Sequence, residues 1–364
     1  MMRRNFSRAL FIATMAFAPV VFAQHALNGP PVESKTAEQV YKNITQLRGT
    51  PAEQLIPAMQ VISSSLGVEC SFCHVAAKPE LDDKPEKKTA REMMAMVASI
   101  NGGSFGGRQR VSCYSCHHGV PDPANVPPVL ESDTPEHTEK SAPALAALTA
   151  DEVIQKYVAA MGGADAIRKI TSRVEKGSIL VGDSQTPIEV LTKAPNKRVT
   201  ITKSGNTESF TAFDGTAGWM GSTGRMARSM SPAESGASAL DAEFAIALRL
   251  KELFPQIHRA NPEQIGGAMC EVLIGSGPGR PPVRLFFDQK SGLLVRMVRY
   301  AETPVGRNPT QIDYTDYRDA DGVKIPFRWT LSRVNGRFTI QIADVQSNVP
   351  LDDAKFAKPE GEVK

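Results

Sequence analysis

Two periodicities divide the chain. Between residues 37 and 118 apolar positions recur at helical spacing, with Leu55, Met59, Ile62 and Leu66 on one face. Thr50 and Glu53 stand ahead of this stripe as a capping box, and Gly67 is placed to stop it. A second helix is predicted over residues 85–101, "PEKKTAREMMAMVASIN", with Gly102 and Gly103 as its end. A third begins at the capping pair Thr149 and Glu152. The period then falls to two, at Val199 and Ile201 and again at Phe338, Ile340 and Ile342. Asp-Gly at 214 and 321 and Asn-Gly at 335 mark tight turns, so this region is read as antiparallel sheet. One helical insertion, from Ser231 and Glu234 through about Phe254, separates the two groups of strands. Between the halves lie Pro121, Pro123, Pro127, Pro128, Pro135 and Pro143 with few large apolar residues, a composition that stays extended. The pattern predicts an α+β chain with an all-α domain over 24–118, a Pro-rich linker over 119–147 and an antiparallel β-rich domain with helices over 148–364.

The beginning of the chain changes the picture by assigning a compartment. Arg3, Arg4 and Arg8 precede an apolar run from Ala9 to Phe22, and Val21 and Ala23 offer small residues for cleavage, so residues 1–23 read as a signal peptide. The run is too short to be a transmembrane helix and no cysteine follows it, so the expected location is periplasmic, without a lipid anchor. The formal charge is +3, from 42 basic and 39 acidic residues; without the three signal arginines it is 39 against 39. A chain near neutrality is not expected to bind nucleic acid.

Four of the five cysteines fall in two copies of one unit, C-x-x-C-H: Cys70, Cys73 and His74, then Cys113, Cys116 and His117. A redox pair or half of a zinc site would use the cysteines but would not require a histidine directly after the second one. Covalent haem attachment does require it, because two thiols add to the porphyrin vinyl groups and the next residue becomes the proximal iron ligand. Residues 74–112 also make a longer gap than the usual zinc spacing. Two c-type haems are therefore expected, with His74 and His117 as iron ligands. His118 lies one step out of register and is read as an exposed side chain or a propionate contact. Arg91, Arg108 and Arg110 are read as propionate partners or solvated surface residues. For the sixth iron ligand the sequence offers Met59 ahead of the first unit and Met93, Met94 and Met96 ahead of the second, or else a helical core filled by methionine.

The order helix with methionine, loop, C-x-x-C-H occurs twice. Over about residues 37–119, and most closely in "TAREMMAMVASIN" followed by "VSCYSCHHG", the chain resembles the cytochrome c subunit of photosynthetic reaction centres. In that family the helix before each unit supplies the sixth ligand, so the resemblance implies Met59 for the haem on Cys70 and Cys73, and Met93 for the haem on Cys113 and Cys116. Well-known members carry four haems; this chain has motifs for two, and a photosynthetic role is not implied. What the resemblance implies is a compact dihaem domain, electron transfer, and redox protein partners that include a membrane electron-transfer complex.

The β-rich domain loosely resembles periplasmic lipoprotein-carrier proteins, which implies a half-barrel sheet around a helix and a module that binds a partner protein or an apolar ligand. Trp219 and Trp329 are expected to pack, and Cys270 to be a buried apolar residue. The leading expectation is an electron carrier with a C-terminal docking domain. The alternatives are a peroxidase-like haem enzyme and an apolar-ligand carrier with haems attached.

Overall fold

The computed structural model describes residues 35–123, 148–277 and 280–363; the expected signal peptide and most of the linker lie outside the described residues. The first described unit contains helices α1 (Ala37–Val40), α2 (Ala52–Leu66), α3 (Cys70–Cys73), α4 (Pro85–Phe105) and α5 (Tyr114–His117). Gly67 ends α2 in the left-handed conformation, as expected.

The start of α2 and the end of α4 differ from the sequence expectation. Pro51, not Thr50, caps α2, and no side chain accepts from its first turn. Thr50 is buried and uses its carbonyl to accept from Ala37 N at 2.8 Å, so its backbone docks α1 and leaves the capping role. Helix α4 runs through Gly102 and Gly103 to Phe105 and ends at Gly106. Each interior glycine costs about 1 kcal/mol relative to alanine. The buried Asn101 offsets this: its carbonyl accepts from the first residues past the helix, and its side chain holds Arg110 and Val111 through three hydrogen bonds of 2.8–3.0 Å.

The second unit opens with α6 (Ala150–Ala160) and α7 (Ala164–Lys169). Thr149 and Glu152 form the expected capping box on α6. The strands are β1 (Ser172–Val181), β2 (Ser184–Lys193), β3 (Lys197–Ser204), β4 (Thr207–Phe213), β5 (Gly218–Ser222) and β6 (Arg228–Ser229), followed by β7 (Gln256–Ile265), β8 (Ala268–Gly277), β9 (Arg280–Asp288), β10 (Leu294–Thr303), β11 (Gly306–Ala320), β12 (Val323–Arg333) and β13 (Gly336–Ser347). They form one antiparallel sheet in the order β6-β5-β4-β3-β2-β1-β13-β12-β11-β10-β9-β8-β7. The Asp-Gly and Asn-Gly turns lie where the sequence places them, between β4 and β5, β11 and β12, and β12 and β13. The ladder is open, with β6 and β7 as its edges. The helical insertion is two helices, α8 (Pro232–Ala242) and α9 (Ile246–Leu253), because the chain turns at residues 243–245 and Phe244 N donates to Pro195 O at 3.2 Å.

Both faces of the sheet are buried in part. Tyr157 of α6 and Leu250 of α9 pack with Leu273, Phe287, Ile325 and Ile342 on one face. On the other, Trp219 joins Val199, Leu351 and Phe356, and its Nε1 donates to Phe356 O at 2.8 Å. Cys270 and Trp329 are buried as expected, and burial pushes the Cys270 thiol pKa up. His258 is exposed on the edge strand β7. The two units touch at the tip of the β10–β11 hairpin, where Val305 enters a small cluster with Ala58, Val61 and Ile62 of α2.

Candidate functional site

In the first C-x-x-C-H unit Cys70 and Cys73 open and close α3, so one helical turn carries both sulfurs, and His74 follows as its cap. In the second, Cys113 caps α5, which holds Cys116 and His117. All four thiols are free; Cys70 and Cys116 are exposed and Cys73 and Cys113 half-buried. Burial raises the pKa of Cys73, with Glu86 adding to the effect, and burial likewise raises that of Cys113. Among the described residues no three Cys, His, Asp or Glu side chains converge as a zinc site built from the two pairs would need.

The histidines are oriented alike. His74 Nδ1 lies 3.0 Å from Pro79 O, and His117 Nδ1 lies 3.1 Å from Val120 O. A backbone carbonyl can only accept, so each Nδ1 carries the proton and donates, which leaves Nε2 as the basic nitrogen. This is the arrangement by which a metal-ligating imidazole is fixed in tautomer and ring angle. His118 instead adopts a left-handed backbone at φ +50°, is exposed, and meets the Tyr114 ring edge-on at 5.4 Å.

Helix α4 has 21 residues, and its only buried side chains are polar, Lys87 and Asn101. Together with Met94 they fall at steps of seven along the inward stripe. Met94 packs with Met59 and Cys113 around Val61 and Ile62. Met93 and Met96 are 37% and 44% exposed. A long helix that leaves its large apolar side chains bare beside two free-thiol motifs has the surface a flat apolar macrocycle would cover, so these residues fit a porphyrin.

Lys87 was not distinguished by the sequence pattern. Its ammonium donates to Pro79 O at 2.8 Å and Leu81 O at 2.7 Å and pairs with Asp82 at 2.9 Å. Arg91 is likewise committed, to Asp82 at 3.0 Å and Asn43 O at 3.1 Å. Hydrogen bonds from Arg91, Lys87 and Asn43, in that order, hold the Asp82 carboxyl well below the usual carboxylate range. Arg108 and Arg110 are exposed and line a cleft of about 1130 Å³ beside Tyr114. The signal for Lys87 and Asn101 was the seven-residue register through Met94, which marks both as facing inward despite their polarity.

Among curated proteins, cytochrome c-554 of Chloroflexus aurantiacus is 30% identical over 91 residues, 22% of this chain and 21% of its own length. The photosynthetic reaction center cytochrome c subunit of Thermochromatium tepidum is 28% identical over 91 residues, 24% of this chain and 22% of its own. The chain thus spans about a fifth of the length of these curated relatives. Among solved structures, the LolA superfamily protein NE2245 from Nitrosomonas europaea is 14% identical with a TM-score of 0.43, covering 58% of this chain and 99% of that one. A DUF1329 family protein from Desulfovibrio piger is 13% identical with a TM-score of 0.40, covering 57% and 96%. Residues 13–192 match the family model of the photosynthetic reaction centre cytochrome C subunit, which is what this part of the chain is similar to.

Proposed function

We propose that this chain is an exported, periplasmic dihaem c-type cytochrome that passes electrons between redox partners, one of them a membrane electron-transfer complex. The observation that carries the reading is the repeated unit: two cysteines on one helical turn, then a histidine whose Nδ1 is held by a backbone carbonyl. Bound there, haem supplies a reversible one-electron iron couple. The residues of the chain do the rest. Cys70 and Cys73, and Cys113 and Cys116, anchor the two groups. His74 and His117 would hold iron through Nε2, and Met59 and Met93 would each supply a further ligand by family position. Ligation of both faces suits electron transfer, whereas a peroxidase needs an open face with a polar group that can take a proton from peroxide. Residues 24–118 form the cytochrome domain and 148–364 the β-rich domain, joined by the linker at 119–147.

The test is the mass of protein matured in an exporting, haem-ligating host. Two haem additions are expected, one on each cysteine pair by peptide mapping, and the reduced protein should bind carbon monoxide poorly. Apoprotein mass, or haem on one pair alone, overturns the dihaem reading. Fast carbon monoxide binding overturns the carrier in favour of the peroxidase-like alternative.

A further inference from the structure

The two attachment motifs have different surroundings. The first borders a cavity of about 620 Å³ lined by Val68, Glu69, Ser71, Phe72, Lys84 and Glu86, all from the helical unit. Beside the second, a cleft of about 300 Å³ is bounded by Met94, Val97 and Cys113 on one side and by Pro304 and Val305 of the β10–β11 hairpin on the other. The β-rich domain therefore walls the cavity beside the second motif and none of the cavity beside the first, while Val305 also joins the cluster that Met59 borders.

The hairpin tip is built to hold that position. Thr303 is buried, its hydroxyl donates to Gly306 O at 2.6 Å, and Val305 N donates back to it at 3.4 Å, which closes the turn on itself. Gln109, in the loop ahead of Cys113, donates through Nε2 to Thr303 O at 3.0 Å and Pro304 O at 2.9 Å. Gly306 sits at φ +144°, and a Cβ there would lie 3.4 Å from Ser112 Cβ and 3.6 Å from Val61 Cγ1, so the hairpin is in close contact with the residue preceding Cys113. Val305 is 8% exposed although it lies at a hairpin tip, because its side chain is in the cluster of Ala58, Val61 and Ile62. An apolar residue seated across a domain boundary with its flanking carbonyls hydrogen-bonded is docked, not left at a loop end.

We propose that the Thr303–Gly306 hairpin tip is a positioning element for the second haem, with Val305 as the apolar plug that excludes water and raises that haem's potential above the first. This rests on the dihaem reading above. The physical cause is that ferric haem carries one more positive charge than ferrous, so a drier, more apolar surround favours the reduced form. The β-rich domain thus makes the two groups unequal, so electrons on the protein settle at the motif nearest the sheet.

The test is a spectroelectrochemical titration of full-length protein carrying both haems, comparing wild type with Val305→Thr, which keeps the shape and adds a hydroxyl. Val181→Thr, at an exposed position on β1, is the control. Two separate midpoints are expected in wild type. Val305→Thr should move the higher one down by roughly tenfold in its equilibrium constant, about 59 mV for a one-electron couple, and leave the lower in place. Should Val305→Thr not fold, Gln109→Glu, which replaces the donor to both hairpin carbonyls with an acceptor, must give the same one-sided shift. A Cys70→Ala/Cys73→Ala variant, retaining only the second attachment, assigns the higher midpoint. Both haems present with neither midpoint moved, or a shift confined to the first, overturns the proposal and leaves the dihaem reading standing. No haem on Cys113 and Cys116 overturns the dihaem reading itself.

Discussion

Lys87 and His74 converge on one backbone acceptor: the Pro79 carbonyl takes a hydrogen bond from Lys87 Nζ at 2.8 Å and lies 3.0 Å from His74 Nδ1. The ammonium also ties down Leu81 O and Asp82, so a buried cation on α4 organises the loop that orients the histidine of the first motif. His117 has the Val120 carbonyl as its partner.

Lys87→Met keeps the apolar stem and removes the ammonium. The Pro79 and Leu81 carbonyls then lose a charge-assisted donor, a cost of about 2 kcal/mol. Chemical denaturation followed by circular dichroism should show that loss in the helical unit. In the haem-loaded protein the midpoint of the first haem should fall, since losing a buried cation beside the motif makes the more positive ferric state less costly. An unchanged denaturation midpoint would mean the loop does not depend on Lys87.

Asp82 predicts a response to acid. Its folded pKa is lowered, first by Arg91 and then by Lys87 and Asn43, so its contribution is complete above the ordinary carboxylate value near 4. That contribution fades as the pH falls below that value toward the depressed folded pKa. The side chain is 52% exposed, so salt should weaken the effect. Thermal melts of wild type and Asp82→Asn between pH 2 and 6 should converge at the acid end and separate above pH 4. Parallel curves across the whole range would show that Asp82 plays no part.

These residues also mark what the sequence could and could not disclose. C-x-x-C-H is a local pattern, so Cys70, Cys73, His74 and their second copy could be proposed from spacing alone, and haem on them is what the mass measurement tests. The strands around Asp214, Asp321 and Asn335 were legible because a tight turn imposes its own residue types. Lys87 and Asn101 were missed because a polar residue on a helix is ordinarily solvated, and only the fold shows that their partners are carbonyls of adjoining loops. The glycines at 102 and 103 were misread as a stop because Asn101 binds the loop beyond them. Val305 was invisible for a different reason. Its partners Ala58, Val61 and Ile62 are more than 240 residues away in sequence, and a single apolar residue at a turn has no period to betray it.

Gly67→Ala tests the junction of the two motifs. A Cβ on Gly67 would stand 2.1 Å from Gly119 O, a backbone atom that cannot swing aside, and Gly119 N already donates to Ser65 O at 2.8 Å. The left-handed conformation alone costs a side chain about 1 kcal/mol, and the clash adds to it, for an expected loss of about 3 kcal/mol or more. Hydrogen exchange should show the loss in α2 and α5 with the β-sheet amides unchanged. Gly103→Ala, whose Cβ meets nothing within 4 Å inside α4, should be neutral or stabilising. Equal effects from the two substitutions would refute the close approach.

The methionines separate structure from ligation. Met94 packs against the cluster that joins α2, Val305 and Cys113, so Met94→Ala should cost about 2–4 kcal/mol in stability and leave the visible spectrum of the haem-loaded protein in place. Met93 is 37% exposed and Met96 44%, so truncating either should change stability by less than about 0.5 kcal/mol in the haem-free chain. The proposed function gives Met93 to the haem on Cys113 and Cys116. Met93→Ala should therefore abolish that haem's methionine-to-iron absorption and lower its potential, with both haems still attached, because attachment depends on the thiols. Met59→Ala should do the same for the haem on Cys70 and Cys73, with an added stability cost from its half-buried place beside Ile62. A spectral loss on Met96→Ala with none on Met93→Ala would move the second ligand one turn along α4. A loss on Met94→Ala at unchanged stability would put the ligand on the inward stripe and reverse the division of roles argued here.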